Sequence, residues 1–112
     1  MAGSSNIGLF GTTTRTSTLL VVHMLGESHA SEIAQVLGRS LSRIQSALDS
    51  LERTGIVVGA EEGKARRVRI NPRYFAVKEL KVLLDKLGES DVELQQRLAD
   101  RRRRPRRVGK EL

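Results

Sequence analysis

Arg39, Ser40, Ser42, Arg43, Gln45 and Ser46 crowd into the short stretch behind Gly38, and the first acidic group after them is Asp49. Guanidiniums, hydroxyls and a carboxamide donate hydrogen bonds and carry no negative charge, which suits them to an anionic partner. Ile44, Ala47, Leu48 and Leu51 recur among them at three- and four-residue spacing, so the segment is a helix with one apolar face and this polar one opposite. Ser40 can cap it, or Ser42 in a box with Gln45, and Gly55 stops it. Asp49 and Glu52 lie only in its later half. A face kept polar for solubility alone mixes its charges sooner.

Such a helix needs others to hold it. TTTRTSTLLVVHML, residues 12 to 25, offers threonine caps and then Leu19, Leu20, Val22, His23 and Met24 before Gly26. This reads as a first helix, although its β-branched residues also allow a strand. HASEIAQVL, residues 29 to 37, sets Ile33, Ala34 and Leu37 on one side and ends at Gly38, a residue free to take the left-handed cap conformation. Behind the polar helix, IVVGA (56–60) and ARRVRI (65–70) flank EEGK, which reads as a hairpin turning at Gly63. With Val68 and Ile70 facing inward, Arg67 and Arg69 face outward. Asn71 then caps and Pro72 opens a fourth helix, whose stripe of Val77, Leu80, Leu83, Leu84 and Leu87 runs to Gly88. Ser90 and Glu93 box the start of a short fifth helix carrying Val92, Leu94 and Leu98, ended by Pro105. The expected division is an arm over 1–11, a helical domain with a small hairpin over 12–88, and a short helix with a basic tail over 89–112.

Composition narrows the function classes. The 112 residues are 38% hydrophobic, which fits one small domain. With two Phe, one Tyr and no Trp, the core must be aliphatic. The chain has no Cys, so disulfides, thiolate ligands and a cysteine nucleophile are excluded, and a reducing compartment is expected. No stretch has the length of a membrane span, and MAGSSN lacks the basic start and apolar core of a signal peptide, so a soluble cytoplasmic protein is expected. Of the net charge of +7, residues 101–112 (RRRRPRRVGKEL) supply nearly all. A tail of this kind attracts polyanions without choosing among sequences, and it reads as a disordered arm, a basic extension of the fifth helix, or a localisation-like patch. Specificity has to come from the folded part. No phosphate loop, paired nucleophile and base, or metal cluster is present, so an enzyme and a bound cofactor are not expected. His23 and His29 lack ligand-spaced companions and read as packed or surface histidines.

Three helices, a hairpin and a helix follow the order of a winged helix-turn-helix. The stretch ASEIAQVLGRSLSRIQSALDSLERTGIVVGAEEGKARRVRINP resembles the helix-turn-helix and wing of ArsR-like repressors, with MarR-like repressors second, and LFGTTTRTSTLLVVHML resembles the ArsR-like lead-in. The resemblance covers roughly residues 8 to 87. It implies that the second helix crosses a DNA backbone while the third, over 40–54, enters the major groove of double-stranded DNA. Arg39, Ser40, Ser42, Arg43, Gln45 and Ser46 then become DNA-binding residues: Arg43 is matched to guanine, Gln45 to adenine, and the serines to phosphate or base. In the wing over 56–70, Lys64, Arg66 and Arg67 would follow phosphates or enter the minor groove. The resemblance also implies a homodimer spanning two half-sites, with Leu19, Val77, Leu80, Leu83, Leu84 and Leu87 as the candidate interface. The alternative reading is that the stripe closes the protomer's own core. Metal sensing of the ArsR kind is not expected, since the cysteines are absent and the last helix has no His. The rival reading is a winged-helix protein-interaction module whose affinity for nucleic acid comes from the tail alone.

Overall fold

The computed structural model describes residues 8–63 and 65–103. They form five helices and one antiparallel hairpin, a winged helix-turn-helix: α1 (Thr13–Leu25), α2 (Ala30–Leu37), α3 (Leu41–Arg53), β1 (Val57–Glu62), β2 (Ala65–Ile70), α4 (Val77–Ser90) and α5 (Val92–Arg103).

The centre is α1. Thr16 through Val22 are all buried, so this helix is enclosed on every side and shows no amphipathic stripe, which is why its sequence also allows a strand. Its N-cap is Thr12, whose Oγ1 accepts from the Arg15 amide at 3.0 Å, and its C-cap is Gly26. Around it pack α2, α3, α4 and β2.

Short amphipathic helices supply the walls. In α2, Ile33 and Val36 are buried while Ala34 and Leu37 only border the core, and Gly38 closes the helix in the left-handed conformation at φ 66°. The turn leads directly to α3, where Ser40 caps by accepting from the Arg43 amide at 3.3 Å. Ile44, Ala47, Leu48 and Leu51 face inward as their spacing requires.

The hairpin pairs Val57 with Ile70, Gly59 with Val68 and Glu61 with Arg66. Val57, Val68 and Ile70 are buried, which puts Arg66 on the inward side and Arg67 and Arg69 on the outward side. A feature that no local pattern announces is the bridge from Ser28 to Val68, made by two backbone hydrogen bonds of 3.0 and 2.8 Å. This bridge fixes the base of the wing to the α1–α2 connection.

The fourth helix starts at Val77 rather than Pro72. Asn71 does cap, but it caps a turn: its Oδ1 accepts from the Arg73 amide, and its Nδ2 donates to the Gly55 carbonyl, each at 2.9 Å. Bonds from Tyr74 N to Asn71 O and from Val77 N to Tyr74 O carry the chain through two further turns before α4 begins. Gly88 is not a stop either. It lies buried within α4 facing Met24 of α1, where an added Cβ would stand at an ordinary contact distance of 3.4 Å from Met24 Sδ. Leu19 and Leu84 are fully buried, and Leu80 and Leu87 are 7% exposed; these four candidates for the dimer contact fill the protomer's own core. Val77 borders that core and Leu83 reaches the surface at 40% exposure.

Asp91, not Ser90, starts α5, its Oδ1 accepting from the Leu94 amide at 3.1 Å; the Ser90 hydroxyl donates to the Leu87 carbonyl instead. Leu94 and Leu98 join the same core as α1. The helix also grips α2: Arg97 Nη1 donates to the Val36 carbonyl at 3.1 Å, and Arg101 bonds Gln35 Oε1 at 2.9 Å and Glu32 Oε2 at 3.3 Å. The first arginine of the basic run thus serves the fold. The tail from residue 104 lies outside the described residues.

Candidate nucleic-acid interface

The outer face of α3 starts from its cap. With Ser40 fixing the first turn and four apolar residues turned inward, Ser42, Arg43, Gln45 and Ser46 are left exposed. At about 100° per residue, Ser42 and Ser46 stand opposite the buried stripe, Gln45 leans to one flank and Arg43 to the other.

Each flank is a groove. On the Gln45 side, a cleft of about 430 Å³ is lined by His29, Ala30 and Ser31 at the start of α2, by Leu41, Gln45, Leu48 and Asp49 of α3, and by Arg66. On the Arg43 side, a cleft of about 360 Å³ lies between α3 and Thr12, Thr14 and Arg15 at the start of α1. The α1 wall was not legible as a site in the sequence, where residues 12–14 register only as capping threonines. The signal available was TTTR itself, four hydrogen-bonding residues with no acid beside them.

The arginines divide sharply. Arg66, Arg67, Arg97 and Arg101 each pair with a carboxylate. Arg15, Arg39 and Arg43, like Arg53, Arg69 and Arg73, make no ion pair among the described residues. Arg39 is half-buried, with Nη1 donating to Thr14 Oγ1, so it ties the α2–α3 turn to the start of α1.

The wing's contribution differs from a row of free cations. Arg66 pairs with Glu52 and lies 3.7 Å from Asp49, reaching α3 across Gly59, where a Cβ would come within 2.9 Å of Arg66 Nε. The pairing offsets one of the two carboxylate charges in the later half of α3. Being exposed at both ends, it contributes only a few tenths of a kcal/mol to stability. Arg67 Nε pairs with Glu27 at 3.3 Å, a second link from wing to α1–α2 connection. Lys64 lies outside the described residues.

His23 Nε2 meets Asp85 Oδ1 at 2.7 Å and so joins α1 to α4. Among the described residues no group of three or more His, Asp and Glu is placed to hold a metal ion, and no helix is long and apolar enough to cross a membrane.

A helix-turn-helix followed by a two-stranded wing defines the winged-helix class of domains. Within that class, residues 8–81 match the family of the sugar-specific transcriptional regulator TrmB. The chain belongs to the TrmB family, a family of DNA-binding transcriptional regulators and not of enzymes. No curated protein and no solved structure matches it significantly.

Proposed function

We propose that the protein binds double-stranded DNA sequence-specifically as a homodimeric, cytoplasmic, nucleoid-associated regulator, with α3 in the major groove and the wing beside it. The observation that carries this reading is the exposed face of α3 formed by Ser42, Arg43, Gln45 and Ser46, with a groove along each flank. A B-form major groove is about 12 Å wide and is bordered by two phosphate strands, so a helix of about 10–12 Å fits it with an anion on either side. The ArsR-like lead-in and wing support the same docking.

Roles follow from position. Ser42, Gln45 and Ser46 face the bases, while Ser40 and Arg39 hold the turn that aims them. Arg43 and the start of α1 stand at one strand; His29, Ser31 and Arg66 stand at the other. Arg67 and Lys64 set the wing against the backbone, fixing register more than reading sequence. The dimer contact falls to the outer side of α4, where Val82 is 58% and Leu83 40% exposed, because Leu19 and Leu84 are wholly enclosed.

Gln45 is the most direct probe. Its carboxamide can both donate to and accept from an adenine edge, a pairing that discriminates by about 1–3 kcal/mol. Gln45→Ala is expected to relax one base position in each half-site while the others keep their preference, as read by site selection from randomised duplexes. A variant that selects the wild-type site unchanged places Gln45 away from the bases.

A further inference from the structure

The groove on the Arg43 side has a chemistry of its own. It is lined by Thr12, Thr14, Arg15, Ser42, Arg43 and Ser46 along with Ala47, so every polar side chain in it is a hydroxyl or a guanidinium. The hydroxyls of the α1 wall are already used as acceptors: Thr12 Oγ1 takes the Arg15 amide and Thr14 Oγ1 takes Arg39 Nη1. A hydroxyl has one proton to donate, and both of these protons stay uncommitted to those bonds. Arg15 donates from Nη1 to the Phe10 carbonyl at 3.1 Å, while its Nε is buried without a partner. No carboxylate lines the groove to balance Arg15 and Arg43. Donors without acceptors and cations without counter-charge, gathered in one cleft, fit a ligand that is anionic and accepts hydrogen bonds only.

We infer that this groove binds a backbone phosphate of the DNA strand bordering α3 on the α1 side, with Arg43 supplying the charge and Thr12, Thr14 and Arg15 the facing wall. The inference rests on the DNA-binding reading above and gives Arg43 a phosphate in place of the guanine its sequence position suggested. The start of α1 becomes part of the DNA-binding surface. Arg39, bonded to Thr14 beneath the groove, is a positioning residue that keeps this wall in register with α3.

The test compares affinity for the selected site and for a scrambled duplex over a range of salt concentrations, by fluorescence anisotropy. Arg43→Ala is expected to weaken both duplexes by the same factor, about tenfold, and to lower the salt slope by about one; Arg43→Lys, which keeps a point charge without the fork, restores both. A loss confined to the selected site, with one base position relaxed, overturns the inference and makes Arg43 a base reader, leaving DNA binding intact. Thr13→Glu probes the α1 wall separately. Thr13 is exposed, between two lining residues, and an acid in the first turn of a helix favours folding; affinity should fall about tenfold while the melting temperature holds. Unchanged affinity in this variant removes α1 from the interface and overturns the inference. Equal affinity of the wild-type chain for both duplexes rejects the sequence-specific reading, whereas a salt slope left unchanged by Arg43→Ala overturns this inference.

Discussion

Ser46→Glu is expected to reduce DNA affinity at least a hundredfold and leave the melting temperature of the protein unchanged. Ser46 is exposed on α3 and stands opposite Ile44, Leu48 and Leu51, on the face proposed to enter the major groove. A carboxylate there faces both phosphate strands across a gap from which water is displaced, and like-charge juxtaposition at an interface costs several kcal/mol. Nothing in the fold opposes the change, since Glu is a good helix former and the side chain has no buried partner. Anisotropy with the selected duplex and thermal melting of the free protein check the two halves. A variant that melts as wild type and binds as wild type would put another face of the molecule on DNA.

The second large effect is on stability. Leu84 is fully buried and belongs to the core shared by α1, α3 and the hairpin. Removing its isobutyl group should cost about 2–5 kcal/mol, which for a domain of this size lowers the melting temperature by about 10 °C or more. Leu83→Ala, one residue on, should do little to the protomer because Leu83 is 40% exposed. Melting each variant at two protein concentrations separates the roles. Leu84→Ala lowers the transition at both concentrations. If its loss instead shrinks at high protein concentration, Leu84 sits in a subunit contact rather than in the protomer core.

Much of this fold can be read from local spacing. Ile44, Ala47, Leu48 and Leu51 give α3 its length and its inward face, Gly38 marks the turn before it, and the alternation through Val68 and Ile70 gives the hairpin its sidedness. These features depend on residues within a turn or two of each other. What escapes is non-local. Asn71 bonds Gly55 across the base of the wing, so the helix expected at Pro72 waits until Val77. Gly88 reads as a stop and is a contact surface for Met24, because only the approach of α1 to α4 tells the two apart. A leucine stripe on α4 looks the same whether it meets its own core or a second chain.

The interface divides along the same line. The exposure of Ser42, Gln45 and Ser46 is legible because helical periodicity alone puts them on one outward face. Arg66 reads from the sequence as one cation of a basic wing, and its ion pair with Glu52, fourteen positions earlier, is visible only in the packed domain. Thr12, Thr14 and Arg15 share a groove with α3 only because α1 begins beside it, a juxtaposition that belongs to the packed domain. Free cations and paired cations are indistinguishable in a sequence. Here the pairing leaves Arg15, Arg39 and Arg43 together at one end of α3.

The most direct measurement is selection of bound sites from random duplex DNA at near-physiological salt, using the full chain and a chain ending at residue 103. The cut falls there because Arg101 is bonded to α2 and is part of the fold. A shared, two-fold-related motif from both chains is the predicted result, with the shorter chain binding more weakly and with a flatter salt dependence. If neither chain enriches a motif and the shorter one does not bind, affinity resides in the arginine tail and α3 reads no sequence.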